Sequence, residues 1–284
     1  MLPDKEKLFH LIKNAFEEDL GDGDHSTLSC IPASAIGKAT LKIKEDGILA
    51  GMDIAEYIFQ YLEPTAEIEK YKHDGDKMVN GEQAFTVRAK IHTILKAERL
   101  VLNTMQRMSG IATLTNEFVT AIKESNTKIL DTRKTTPNFR LLEKEAVRIG
   151  GGHNHRMGLY DMIMLKDNHI DYAGGLENAI ERAWQYVQQY KPQLHIEVET
   201  RSIEEVKRVK EYGKVNRIML DNFKPAQISE ALKIIDGRFE TEASGGINMQ
   251  NIKEYAATGV NYISAGALIH QARSIDLSLK AVIE

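Results

Sequence analysis

The chain has 284 residues, 42% of them hydrophobic and 27% charged, with 37 Lys and Arg against 41 Asp and Glu for a net charge of −4. This is the mix of a soluble globular protein, one large domain or a barrel with a smaller companion, long enough to bury a core without disulfide or metal staples. The negative balance argues against nucleic acid as the main partner. The single cysteine, Cys30, excludes an intrachain disulfide and fits a reducing cytoplasm, and no apolar run reaches the length of a membrane helix.

The opening stretch MLPDKEKLFHLIKNAFEEDL mixes charged and apolar residues as an amphipathic helix does, without the uninterrupted apolar core of a signal peptide. EDLGDGDHST (18–27) comes next as a loop rich in Gly and Asp. Ala39–Ile43 alternates as a strand, and Phe85–Arg88 does so after the turn at Asn80–Gly81. Ile94–Met108 carries apolar residues at helical spacing over a wide face, which predicts a buried helix closing this region. The spacing therefore places a mixed α/β domain over 1–110.

From about residue 127 the pattern changes. Short apolar runs (KILDTRK, DMIMLKD, HIEVET, RIMLDN, FETEASGG and NYISAGA) alternate with helical stretches such as Leu176–Gln189, Ile203–Tyr212 and Pro225–Ile235. Repeated β-then-α units imply parallel strands with right-handed crossovers, hence an α/β sheet or barrel.

The polar residues that end these apolar runs point to chemistry. The ends are Asp131-Thr132-Arg133-Lys134, then Lys166, then Glu197 and Glu199, then Asp221, then Ser244-Gly245-Gly246, then Ala265-Gly266. In barrels of this kind the C-terminal strand ends face one active site. Sorted by charge, Arg133, Lys134, Arg140, His153, His155, Arg156 and Lys166 form a cationic group, and Glu197, Glu199 and Asp221 an anionic one. Cations focused on one mouth of an anionic protein suit an anionic ligand. Arg offers two-point recognition of carboxylate or phosphate, and facing carboxylates suit a divalent cation or sugar hydroxyls. The glycine-bearing late ends allow backbone N–H groups to approach a phosphate. Phosphoribosyl transfer and an aldolase-like reaction on a sugar phosphate both fit.

The stretch DTRKTTPNFRLLEKEAVRIGGGHNHRMGLYDMIMLKDNHI (131–170) resembles the signature of the quinolinate phosphoribosyltransferases. So do AERLVLNTMQRMSGIAT (97–113), IEVET (196–200), IMLDNF (218–223), EASGGI (242–247), YISAGALIH (262–270) and EDLGDGDHST (18–27). The resemblance implies an N-terminal α/β sandwich over 1–110, an open α/β barrel over 111–270, and a tail, 271–284, that packs back on the sandwich. It implies that Arg133, His155, Arg156 and Lys166 hold the two carboxylates of quinolinate, with Arg99 reaching the same pocket from a partner subunit. Lys134, with Lys166, would meet the phosphates of phosphoribosyl pyrophosphate, Thr132 would be a substrate-binding residue, and Glu199 and Asp221 would bind the ribose hydroxyls and magnesium. Ser244, Gly245 and Gly246 with Ala265, Gly266 and Ala267 would cradle the 5′-phosphate, His270 nearby. Lys134, Lys166, Glu199 and Asp221 carry the catalytic expectation. Alternation puts Glu197 and Glu199 on one strand face; Glu199 is assigned the carboxylate role. The implied assembly is a homodimer with shared sites, or a hexamer built from it, in the cytoplasm, with neither nucleic acid nor membrane as partner.

Other readings compete. His153-x-His155 has the look of a zinc-hydrolase pair, but it comes after Gly150–Gly152, and the later strand ends carry Glu, Asp and Ser rather than further histidines. Lys134 or Lys166 is a candidate Schiff-base nucleophile, although each sits among other cations. Asp22-x-Asp24-x-Ser26 starts like a calcium loop, yet Thr27 and Ala33 stand where Gly and Glu are needed. Paralogues linked to molybdate transport offer a binding or sensing role.

Overall fold

The computed structural model describes residues 4–282. The chain divides into two compact units. The first takes the chain up to Asn116, Thr135–Gly151 and the chain from Leu268 on; the second takes Glu117–Lys134 and Gly152–Ala267.

The first unit opens with α1 (Lys5–Leu20), whose N-cap Asp4 accepts from the Lys7 N–H and whose buried stripe is Leu8, Ile12 and Phe16. Next come α2 (His25–Cys30), which begins inside the Gly/Asp-rich segment read as loop, and β1 (Ile36–Ile43), β2 (Gly47–Ile48), α3 (Met52–Leu62), β3 (Glu67–Lys70), β4 (Lys77–Met78), β5 (Gln83–Lys90) and α4 (Ile91–Ala121). After these, β6 (Lys128–Leu130) belongs to the second unit and α5 (Arg140–Ile149) to the first.

Alternation in β1 buries Ala39, Leu41 and Ile43, and in β5 it buries Phe85, Val87 and Ala89. Phe59 of α3 meets Phe85 edge-on, with ring centroids 6.1 Å apart. The strand Ala39–Ile43 is longer than its apolar alternation suggests, and α4 runs well past both ends of the expected Ile94–Met108. Gly110 does not break α4, because its missing side chain is a packing requirement. A Cβ there would lie 1.8 Å from the Arg273 carbonyl oxygen.

The second unit continues with β7 (Ile163–Leu165), α6 (Asp167–Ala173), α7 (Leu176–Tyr190), β8 (Ile196–Thr200), α8 (Ile203–Tyr212), β9 (Arg217–Asp221), α9 (Pro225–Ile235), β10 (Glu240–Ser244), α10 (Ile252–Ala256) and β11 (Tyr262–Ser264). Last are α11 (Ala267–His270) and β12 (Leu277–Val282). β12 pairs antiparallel with β1, Leu279 opposite Leu41, completing the four-stranded sheet β12-β1-β5-β3 of the first unit.

The six runs read as barrel strands form one parallel sheet in the order β6-β11-β10-β9-β8-β7. Among the described residues no ladder joins β6 to β7, so the barrel is open. β8 is buried along its whole length, as a strand covered on both faces must be. The intervening helices start where their caps dictate. The Ser202 hydroxyl accepts from the Glu205 N–H to open α8, and Pro225 occupies the first turn of α9. Each crossover therefore delivers the next polar strand end to the same edge of the sheet.

Candidate functional site

At the end of β6, Asp131 is fully buried and accepts the His155 N–H at 2.9 Å. His153 bridges Leu130 in parallel, its N–H donating to the Ile129 carbonyl. The segment 152–156 therefore lies alongside β6 as an extended edge. Along it His153 is exposed, whereas His155 is buried and 8% exposed. Among the described residues the groups that converge with His155 are Glu197 and Glu242, not the exposed His153, so the H-x-H is not a ligand pair.

Both ring nitrogens of His155 are engaged inside the protein. Nδ1 accepts the Arg156 N–H at 2.7 Å. Nε2 lies 3.0 Å from Glu197 Oε2 and 3.3 Å from Glu242 Oε2. Arg217, at the start of β9, donates to Glu242 at 3.1 Å and to Glu240, with its guanidinium 4.1 Å over the Tyr262 ring. Burial opposes charging the His155 ring, but the two carboxylates outweigh it and lift its pKa to about 9. The Arg156 N–H on Nδ1 works against that tendency, because a nitrogen that accepts a hydrogen bond favours the neutral ring. Burial and then the Glu242 charge push the Glu197 carboxyl up to about 7. Burial also works to raise Glu242, but the hydrogen bond from His155 and the charge of Arg217 outweigh it and hold that carboxyl below its ordinary value. The donor atoms of His155, Glu197 and Glu242 come within 4.8 Å of one another, the composition of a metal site. Arg217 already supplies the counter-charge there. Arg217 and Glu242 escaped the sequence reading. Their only signal was the alternation of Glu240, Glu242 and Ser244 beside that of Glu197 and Glu199.

Above this cluster the strand ends are polar and more open. Arg156 is half-buried and donates to the Met162 carbonyl. Burial, and then the nearby charge of Arg133, lower its pKa, a sign that the two guanidinia crowd one region. Arg133 and Lys134 are exposed, and the Thr132 hydroxyl accepts the Lys134 N–H at 3.1 Å, fixing the turn that presents them. Lys166 caps α6, its N–H donating to His169 Nδ1, and its ammonium pairs with Glu199.

Asp221 sits two residues beyond Met219, the β9 partner of Glu199, so the two carboxylates come from adjacent strand ends. Burial, and then the Glu199 charge, raise the Asp221 pKa. Asn222 is left-handed (φ 58°), donates from Nδ2 to Asp221 Oδ2 at 2.6 Å, and donates its N–H to the Ser244 carbonyl at 2.8 Å. Gly245 (φ 100°) packs directly on that asparagine. Gly246 is exposed, and its carbonyl accepts from Asn251 Nδ2. Ala265 is buried and donates its N–H to the Leu130 carbonyl; Gly266 is half-buried and Ala267 buried.

Thus Thr132, Arg133, Lys134, Lys166, Glu199, Asp221, Ser244–Gly246 and Ala265–Ala267 lie at strand ends or just beyond them, and His155 and Arg156 in the segment between α5 and β7, all in the second unit. Arg99, exposed on α4, and His270, exposed at the end of α11, lie in the first. Arg140, first residue of α5, is also in the first unit, its Nε donating to the Thr135 hydroxyl.

Residues 111–280 match the family model described as quinolinate phosphoribosyl transferase, C-terminal domain, and residues 24–109 match its N-terminal domain. The chain is 46% identical to quinolinate phosphoribosyltransferase [decarboxylating] 2b, mitochondrial, of Nicotiana tabacum, over 96% of this chain and 82% of that protein. It is 39% identical to the probable nicotinate-nucleotide pyrophosphorylase [carboxylating] of Bacillus subtilis (strain 168), over 98% of this chain and 94% of that one. The crystal structure of NadC from Streptococcus pyogenes superposes with a TM-score of 0.91 at 37% identity, covering 98% of both chains. Two domain models that together take in most of the sequence, and relatives matched nearly end to end, lead to one statement: the chain belongs to the quinolinate phosphoribosyltransferase family.

Proposed function

We propose that the protein transfers the phosphoribosyl group of phosphoribosyl pyrophosphate to quinolinate with loss of carbon dioxide, giving nicotinate mononucleotide and pyrophosphate on the de novo route to NAD. The observation that carries this reading is two neighbouring pairs in the second unit: the guanidinia of Arg133 and Arg156, and the carboxylates of Glu199 and Asp221 at adjacent strand ends. The guanidinia suit a dicarboxylate, and the carboxylates suit a ribose.

In this reading Arg133, Arg156 and Lys166 hold the quinolinate carboxylates, with His155 packed behind Arg156. Thr132 and Lys134 meet the pyrophosphate end of the second substrate. The turns Ser244–Gly246 and Ala265–Ala267 receive the 5′-phosphate. The ring nitrogen of quinolinate attacks the anomeric carbon as the bond to pyrophosphate breaks, and Glu199 and Asp221 stabilise the positive charge that develops on the ribose. The 2-carboxylate then leaves as carbon dioxide, its bonding electrons remaining on a ring carbon beside the quaternised nitrogen, and that carbon takes a proton. Holding both reactants in line contributes largely through orientation.

Glu199 and Asp221 also fit magnesium. Both are hard oxygen donors on adjacent strands, and burial together with the Glu199 charge raises the Asp221 pKa, a repulsion that a cation would relieve. Bound there, magnesium would supply charge neutralisation to the departing pyrophosphate. We place Arg99 in the site of a partner subunit, making a dimer, or a hexamer built from three such dimers, the active form. Mixing Arg99→Ala and Lys134→Ala proteins should then restore activity that neither has alone. No helix among the described residues is long and apolar enough to cross a membrane. A reducing cytoplasm suits the exposed thiol of Cys30, whereas some of the plant relatives are named as mitochondrial or chloroplastic.

The test is a product assay with phosphoribosyl pyrophosphate, magnesium, and either quinolinate or nicotinate. Nicotinate mononucleotide and an equal amount of carbon dioxide from quinolinate alone are expected. A folded protein that makes no product from quinolinate would overturn the reading.

A further inference from the structure

The cluster beneath the cationic strand ends has a construction that substrate binding by itself does not call for. Glu197 and Glu242, both fully buried, converge on a single imidazole nitrogen, and Arg217 neutralises the pair from the far side. Burying two carboxylates and a guanidinium is costly unless the charges and hydrogen bonds compensate one another. The same imidazole is gripped on its other side. Its backbone N–H donates to buried Asp131, and its Nδ1 accepts the N–H of the next residue. An imidazole so held has both nitrogens in contact within the protein, and it fixes the backbone of Arg156, whose guanidinium feels the charge of Arg133.

From this geometry we infer that His155 is a positioning residue that acts through Arg156: Glu197 and Glu242, neutralised by Arg217, hold the ring so that Nδ1 anchors the Arg156 N–H, which aims the Arg156 guanidinium at a carboxylate of the substrate. The inference rests on the quinolinate reading for the identity of that substrate. It separates the two glutamates of β8: Glu199 belongs to the open strand ends and pairs with Lys166, whereas Glu197 belongs to the layer below and orients a ring. Support that orients a contacting group is a recurring need of sites that must hold a planar ion in two-point geometry.

Two substitutions at His155 discriminate between acting through Arg156 and touching the substrate. Asparagine places its amide oxygen near the position of Nδ1 and keeps an acceptor for the Arg156 N–H, while glutamine places its amide near Nε2 and leaves that N–H without one. The expected result is that His155→Asn keeps the KM for quinolinate within about threefold, and His155→Gln raises it about tenfold or more, the worth of one lost hydrogen bond. The KM for phosphoribosyl pyrophosphate should be unchanged in both. Glutamine matching wild type while asparagine fails would show that Nε2 carries the function, and would overturn the inference.

A second measurement does not depend on the variants folding or on turnover. In the 15N NMR spectrum of the wild-type protein, followed to a pH above the ring's pKa of about 9, the neutral His155 ring should report its proton on Nε2. A ring protonated on Nδ1 would overturn the inference, because that nitrogen could not accept from Arg156. Should wild-type protein not consume quinolinate, the functional reading fails, and the NMR result still decides how the ring is held.

Discussion

Gly245 and Asn222 interlock across the ends of β10 and β9: a Cβ built on Gly245 would lie 2.3 Å from Asn222 Oδ1 and 2.9 Å from its backbone nitrogen. The same asparagine donates to Asp221, so the glycine turn and the carboxylate are set by one contact. Gly245→Ala adds a side chain at a φ of 100°, a conformation that L residues rarely adopt, and it also pushes on Asn222. The expected outcome is a fall in kcat/KM for phosphoribosyl pyrophosphate of about 100-fold, the usual effect of displacing a reacting geometry by an ångström. Steady-state kinetics on the folded variant provide the check, and an unchanged value would mean the turn does not set the Asp221 carboxylate.

Arg107 and Glu143 should dominate the stability of the first unit. Glu143 is fully buried and accepts from Arg107 Nε and Nη2 and from the Thr136 N–H and hydroxyl. Arg107 also donates to the Ile269 and Ala272 carbonyls, tying the segment that carries His270. Arg107→Met strands a buried carboxylate and should cost about 3–5 kcal/mol. The double variant Arg107→Met with Glu143→Leu should recover part of that loss, because the stranded charge goes with its partner. Denaturant titration of both singles and the double reads the coupling. Strictly additive losses would contradict a coupled pair.

The sheet of the second unit was legible because its strands are apolar runs ended by polar residues, and helices such as Ile203–Tyr212 and Pro225–Ile235 open and close on recognisable caps. The strand-end residues were legible for the same reason: parallel topology sends every strand end to one edge. The buried layer was not. Arg217 lies at the start of its strand, and Glu242 in mid-strand. Their pairing depends on the register that brings them together with Glu197 and on a ring arriving from the segment after Gly152. Spacing within one strand cannot reveal a meeting of three strands and a loop. The reach of α4 was hidden differently. A glycine inside an apolar helical pattern reads as weakness, and only the Arg273 carbonyl against Gly110 shows it to be a packing contact.

That contact makes a prediction in which two effects oppose each other. Alanine is the better helix former by about 1 kcal/mol, so Gly110→Ala would stabilise α4 if propensity ruled. A Cβ 1.8 Å from a backbone oxygen cannot be relieved by turning a side chain, and the helix or the 268–276 segment must shift. Overpacking of this kind costs about 1–3 kcal/mol or more, so the clash wins. The variant should melt below the wild type, and a raised melting temperature would sink the account.

Glu181 should give the second unit a stability that fades in acid. Its carboxylate, on α7, accepts from Lys214 at 2.6 Å, from the Tyr212 hydroxyl and from Gln185. Those partners, Lys214 first, hold its pKa down from 4.5 to about 2. The folded state thus favours the ionised form more than the unfolded chain does. The contribution is therefore fully present above pH 4.5 and is lost as pH falls from there toward 2, where the folded carboxyl also takes up its proton. Glu181→Gln never carries that charge. The melting temperature of wild type should exceed that of the variant at about pH 7 and about pH 5, and the gap should close by about pH 2. Because the group is at the surface, added salt should narrow the gap at neutral pH as well. A gap that stays constant from neutral pH into strong acid would assign the effect of the substitution to packing rather than to the Lys214 and Tyr212 contacts.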